Sequence, residues 1–184
     1  GTSNNELNEL KNTVVNHIDK LGKLMIPKQL VSNCSNIAME QLLSNGLLIS
    51  DKNSIGFVHQ SFFDYFLVEK MIQQIFNGES IVSILGPIFK QTPTKRYQLQ
   101  MLLEYILEYD MDLFIGIGAE LLDSENVRFY MKYVFLEVLG QAEVISPKTE
   151  KFLIEYVNSE YWRNHLIDVV FNNHPIFVMF LINE

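Results

Sequence analysis

The segment GLLISDKNSIGFVHQSFFDYFLVEKMI, residues 46–72, decides the fold. Two short apolar runs, 47–50 and 55–58, flank Asp51, Lys52, Asn53 and Ser54, residue types that tolerate tight backbone geometry, and this pattern predicts a β-hairpin. A helix follows without a linker, opened by His59 and a cluster of aromatic residues. At about 100° per residue, Phe62, Phe63, Tyr65, Phe66 and Leu67 fall on one side of it. Met71, Ile72, Ile75 and Phe76 fall largely on the other. The buried face is therefore expected to change near Val68, which makes this a bridging helix between two bodies.

Upstream, Leu7, Leu10, Val14, Val15, Ile18 and Leu21 recur at spacings of three and four, one stripe of an amphipathic helix over 6–21 that Gly22 can stop. Pro27 suits the first turn of a short helix through Val31. Ser35 or Asn36 can cap a third helix that ends at Asn45 and Gly46. Two strands alone are marginal and must lean on helices. Three helices followed by a β-hairpin is the order of a winged helix, with 37–45 in the place of the recognition helix.

Beyond Gly78 only helices are expected: 80–89; one opened by Thr92 and Pro93; one from Asp110 to about Leu122; one capped by Ser124 and ended by Gly140; one opened by Ser146 and Pro147; then 160–172 and 175–182. Paired helices with short polar joints suggest stacked hairpins of the HEAT or armadillo kind. The expected fold is thus mainly α: a winged-helix domain over residues 1–78, bridging helix included, followed by an α-solenoid-like array over 79–184. The run 176–182 is apolar on all sides and no Met precedes Gly1, so we expect a piece of a longer protein.

Composition narrows the partners. Of 184 residues 48% are hydrophobic, ample for buried cores. The net charge is −8 and it is uneven: residues 1–90 hold seven Lys against eight acids, and 91–184 hold seven Lys or Arg against fourteen. That balance argues against a surface built to hold phosphates of nucleic acid. The candidate recognition helix contains no Lys or Arg, and the wing offers only Lys52. Cys34 is the single cysteine, so no intramolecular disulfide can form, and no apolar run reaches the roughly 20 residues of a membrane span. A cytoplasmic protein without membrane contact is the expectation.

Catalytic signatures are sparse. The chain has no Gly-rich phosphate loop and no nucleophile elbow, and Gly116 and Gly118 lack the third glycine of a dinucleotide fingerprint. No His or Cys spacing matches a zinc site. Cys34 has no sequence-adjacent His, although His17 or His59 could meet it in the fold. Glu104, Glu108, Asp110, Asp112, Glu120 and Asp123 could supply a carboxylate pair, but they also sit where solvated faces and helix starts favour acids. Tyr161, Trp162 and the aromatics of 62–66 lack the interleaved cations of a base-stacking platform and read as core.

At residues 57–66, FVHQSFFDYF, the chain resembles the end of the winged-helix domain in STAND-class NTPases, particularly the NACHT-like branch. There an aromatic, a spacer, His, a polar residue, Ser and Phe open the helix after the wing. The resemblance covers about 27 residues closely. Phe63, Asp64, Leu67 and Val68 depart from the pattern. It implies a regulatory role without catalysis in this segment, coupling a nucleotide switch to a helical sensor or scaffold arm. His59 matches the histidine that reaches the phosphates of bound ADP, so it is the one cofactor-binding candidate. ATP or ADP with Mg is expected in the intact parent, not in this segment. The implied partners are the parent's own upstream nucleotide-binding domain and a protein or peptide ligand on the helical array, one of basic character given the acidic second half. The alternative is a winged-helix DNA-binding transcription regulator with a helical ligand or dimerisation domain.

Overall fold

The computed structural model describes residues 3–172 and 175–183, without the side chains of Phe180, Leu181 and Asn183. These residues are mainly helical, with a small antiparallel sheet, and the chain forms two compact units, Gly1–Lys70 and Met71–Glu184.

The first unit opens with helix α1, Asn4–Leu21. Ser3 and Glu6 form a reciprocal capping box at its start, and Gly22 ends it in the left-handed conformation at φ 65°. Strand β1, Met25–Pro27, comes next, then a single 3-10 turn, Lys28–Val31. Helix α2, Asn36–Ser44, is capped by the Ser35 hydroxyl, which accepts from the Ala38 N–H. Strands β2, Leu48–Ser50, and β3, Ser54–Phe57, complete a three-stranded sheet in the order β1-β3-β2.

The β2–β3 hairpin lies where the sequence pattern predicts it, whereas β1 stands where a helix start is predicted. Three residues are too few for a period-two pattern, and Pro27 read as a helix start. In fact Pro27 ends an edge strand, where its missing N–H costs no ladder bond. Gly56 pairs with Met25 across β1 and β3, and a Cβ there would collide with the Leu24 carbonyl, so the close approach of these strands requires glycine. Leu10, Val14, Val15, Ile18, Ile26, Ala38, Leu48 and Ile55 form the core of this unit.

Helix α3, Gln60–Phe76, carries the division between the units inside it. The Lys11 ammonium on α1 pairs with Glu69 at 2.9 Å and lies 4.6 Å from the Phe66 ring centre. The expected change of face is gradual rather than a reversal. Phe63, Leu67, Met71 and Ile75 are all buried at strict four-residue spacing, and each such step advances the face by about 40°. Tyr65 and Phe76, read as buried, are exposed.

In the second unit α4 is short, Ile81–Leu85, because Gly86 at φ 70° and Pro87 break the helix expected over 80–89; a 3-10 turn, Ile88–Lys90, follows. Helices α5, Pro93–Tyr109, and α6, Met111–Asp123, start at their expected caps, Thr92 and Asp110. Helix α7, Phe129–Leu139, starts later than expected. Ser124 does not cap it; its hydroxyl accepts from Asn126 in the preceding loop. Helix α8, Pro147–Asn158, is capped by Ser146.

The segment expected as one helix over 160–172 is a four-residue helix α9, Arg163–Leu166, running into a π-helical turn, Ile167–Phe171. Helix α10, Pro175–Asn183, buries Phe177 and exposes Val178, Met179 and Ile182; the expectation for Phe180 and Leu181 lies outside the described residues. Packing alternates. Helix α5 contacts α6 and α7, α6 contacts α4, α7 and α8, and α7 contacts the π-helical turn. Phe114, Phe135, Phe152 and Tyr156 tie α6, α7 and α8 together, with ring centres 4.9, 5.6 and 4.4 Å apart in that order.

Candidate functional site

His59 lies in the bend between β3 and α3, with Val58 before it and Gln60 after it, all three exposed. Its carbonyl accepts the Phe62 N–H at 3.1 Å, and its ring stands 6.0 Å from that of Phe62. One turn on, the Gln60 amide donates to the buried carboxylate of Asp64 at 2.9 Å. The helix therefore begins with an exposed imidazole above a braced first turn. An imidazole so placed can donate to an anion, and the N–H groups of a helix's first turn add a favourable dipole.

The β2–β3 turn is held by Asp51. One carboxylate oxygen accepts from the N–H groups of Asn53 and Ser54 at 2.8 and 2.7 Å, and the other accepts the Ser54 hydroxyl at 2.7 Å. The hydroxyl contact, reinforced by those two N–H groups, holds the Asp51 carboxyl below the usual range. The outer face of α2 consists of Asn36, Ile37, Glu40, Gln41 and Ser44, all exposed and none cationic. Such a face offers phosphates no positive charge.

The acidic residues singled out in the second unit are mostly occupied in holding helices. Asp110 accepts the Leu113 N–H, Asp112 accepts the Ser146 hydroxyl, and Glu104 accepts the Gln100 amide. Asp123 accepts the Tyr156 hydroxyl at 2.7 Å. Burial, and after it that contact, raises the phenol well above its usual value. Glu120 accepts the Ser80 hydroxyl and lies 3.4 Å from the N–H groups of Ile81 and Val82, so it caps α4 from another helix. Sequence spacing carries no signal for a cap supplied from forty positions away.

A second feature invisible in the sequence is Gln91, which is 1% exposed. Its amide nitrogen donates to the carbonyls of Gly86 and Asn126, its amide oxygen accepts the Arg128 N–H, and its own carbonyl accepts the Tyr130 hydroxyl. The hollow beside this joint is lined by Ser80, Val82, Ser83, Gly86, Pro87, Ile88 and Asn126. No ionisable side chain is among them, so the hollow can hydrogen-bond a ligand but has no group for proton transfer.

Trp162 is buried and lies parallel to Phe129, ring centres 6.2 Å apart, while Tyr161 is exposed. The Lys132 ammonium sits 5.8 Å from the indole centre and donates to the Leu122 carbonyl. Burial lowers its basicity. Cys34 is a half-buried free thiol. Among the described residues no group of three or more His, Cys, Asp or Glu is placed to hold a metal ion, and no helix is long and apolar enough to cross a membrane.

Neither family models nor curated proteins nor solved structures give a match to this chain.

Proposed function

We propose that this chain is a regulatory region of a STAND-class, NACHT-like signalling ATPase, with a winged helix that senses the nucleotide state and a helical arm that engages a protein ligand. The observation that carries the reading is the order of the first unit: α1, β1, a 3-10 turn in the place of the second helix, α2, and the β2–β3 hairpin, with sheet order β1-β3-β2. That order supports the winged-helix reading. His59 follows its last strand directly, exposed at the start of α3. In the second unit, the contacts of α4 with α6, α5 with α7 and α6 with α8 support two layers of an α-solenoid.

The resident ligand in this reading is ADP, bound mainly by a nucleotide-binding domain upstream in the intact parent. The exposed imidazole fits such a role, since it can donate to a phosphate oxygen without first being uncovered. The nucleotide supplies the switch chemistry through the state of its terminal phosphate. This chain's part is to read it: His59 donates, and the Gln60–Asp64 contact steadies the turn that carries His59. The chain has no turnover of its own.

The DNA-binding alternative gains nothing from the cation-free outer face of α2. The test uses the intact parent. His59→Ala should speed ADP release and raise basal signalling, whereas unchanged ADP release would remove His59 from the switch.

A further inference from the structure

The outward side of α5 presents Tyr97, Tyr105, Glu108 and Tyr109, with Met101 and Glu104 half-buried among them, away from the buried Leu99, Leu103 and Ile106. The three tyrosines are 53%, 44% and 65% exposed. Tyr105 and Tyr109 lie nearly parallel, 8° apart in plane, and Phe76 meets Tyr109 edge-on with ring centres 5.1 Å apart. Single exposed aromatics are ordinary, but three rings in mutual succession, Phe76, Tyr109 and Tyr105, with Tyr97 two turns earlier on the same helix, are not.

Charge decides what fits it. Beyond its first turn, which holds Lys95 and Arg96, α5 carries no Lys or Arg, and Arg96 is paired with Glu137 at 2.6 Å. Glu104 and Glu108 border the rings one turn apart. Aromatic faces next to carboxylates suit a guanidinium, which stacks on a ring while its N–H fork reaches an oxygen. A second copy of this chain is a poor occupant, because it would bring the same carboxylates against each other. Nucleic acid and anionic lipid are repelled for the same reason.

We infer that the Tyr97–Tyr105–Tyr109 face of α5, with Glu104 and Glu108, docks an arginine-bearing segment of a partner protein. The inference rests on reading the second unit as an interaction arm and names that arm's contact surface. Arginines four residues apart on a helical segment would match the four-residue spacing of Met101, Tyr105 and Tyr109.

Fluorescence anisotropy of the full chain with three labelled helical peptides, carrying Arg, Lys or Glu at four-residue spacing, tests it. The Arg peptide should bind several-fold more tightly than the Lys peptide, and the Glu peptide should not bind. The double variant Tyr105→Ala/Tyr109→Ala should weaken the Arg peptide by about tenfold. Glu108→Gln should weaken it by roughly threefold and flatten its salt dependence. Tyr161→Ala, an exposed tyrosine off this face, should leave binding unchanged. Arg-peptide binding indifferent to the tyrosine variants would overturn this face while leaving the arm open to another surface. No binding of either cationic peptide would overturn the face and the basic-partner reading together, without touching the nucleotide switch.

Discussion

The backbone of Gly118 on α6 lies against the ring of Phe135 on α7, so closely that a Cβ on Gly118 would overlap the ring. Phe135 is itself fully buried between Phe114 and Phe152 and has no direction in which to retreat. Gly118→Ala should therefore destabilise the protein by about 1–3 kcal/mol despite its better helix propensity. Urea denaturation measures this, and an unchanged or higher midpoint would mean that the α6–α7 contact is looser than the geometry described.

The cap that Glu120 provides to α4 predicts a local effect. Glu120→Ala leaves the Ser80 hydroxyl and the first N–H groups of a five-residue helix without their acceptor. Loss of a cap costs about 1 kcal/mol. Amide exchange at Ile81 and Val82 should accelerate by about fivefold, with exchange in α8 unaffected. If α4 keeps its protection, the cap is not what holds it.

Alkaline pH should report on Tyr156. Its phenol ionises at higher pH in the folded protein than in the unfolded chain, first because it is buried and then because it donates to Asp123. The resulting stabilisation is complete below the unfolded value of about 10 and declines as pH rises toward the folded one. The unfolding free energy should thus fall above about pH 10 in the wild type, and Tyr156→Phe should fall less steeply. Parallel profiles for the two proteins would contradict this.

The β2–β3 turn behaves oppositely in acid. Hydrogen bonds from the Ser54 hydroxyl and the Asn53 and Ser54 N–H groups favour the ionised Asp51. Its contribution is present above the unfolded carboxyl range, near pH 4, and disappears as pH falls through the lower folded value. The Asn53 and Ser54 amide resonances should shift together with a midpoint below that of a free aspartate. In Asp51→Ala those resonances should not titrate at all.

Much of the chain's punctuation was legible because it is local. Gly22, Ser35, Thr92, Asp110 and Ser146 act within a few residues of where they stand, and each bounds its helix as read. Ser124 carries the same signal, yet α7 begins at Phe129, because the Arg128 N–H is held by Gln91 from 37 positions away. Strand β1 was missed because its evidence is also distant: Ile26 becomes a strand residue through Ile55 across the sheet. Likewise, the four aromatics opening α3 were read as one buried cluster, whereas Tyr65 lies on the outward side of a helix whose apolar residues exceed what one face can cover. His59 could be named from its neighbours, but neither the Glu120 cap nor the Gln91 joint has any trace in local spacing.

The Gln91 joint makes two loops depend on a single atom. Its amide nitrogen donates to two carbonyl oxygens, those of Gly86 and Asn126, and no other group on the side chain could take its place. The exchange Gln91→Glu would set a group without that donor against two oxygens in a site closed to water. One exchanged atom, leaving the backbone intact, would thus unfasten two loops at once, and on heating those loops should open together rather than in turn.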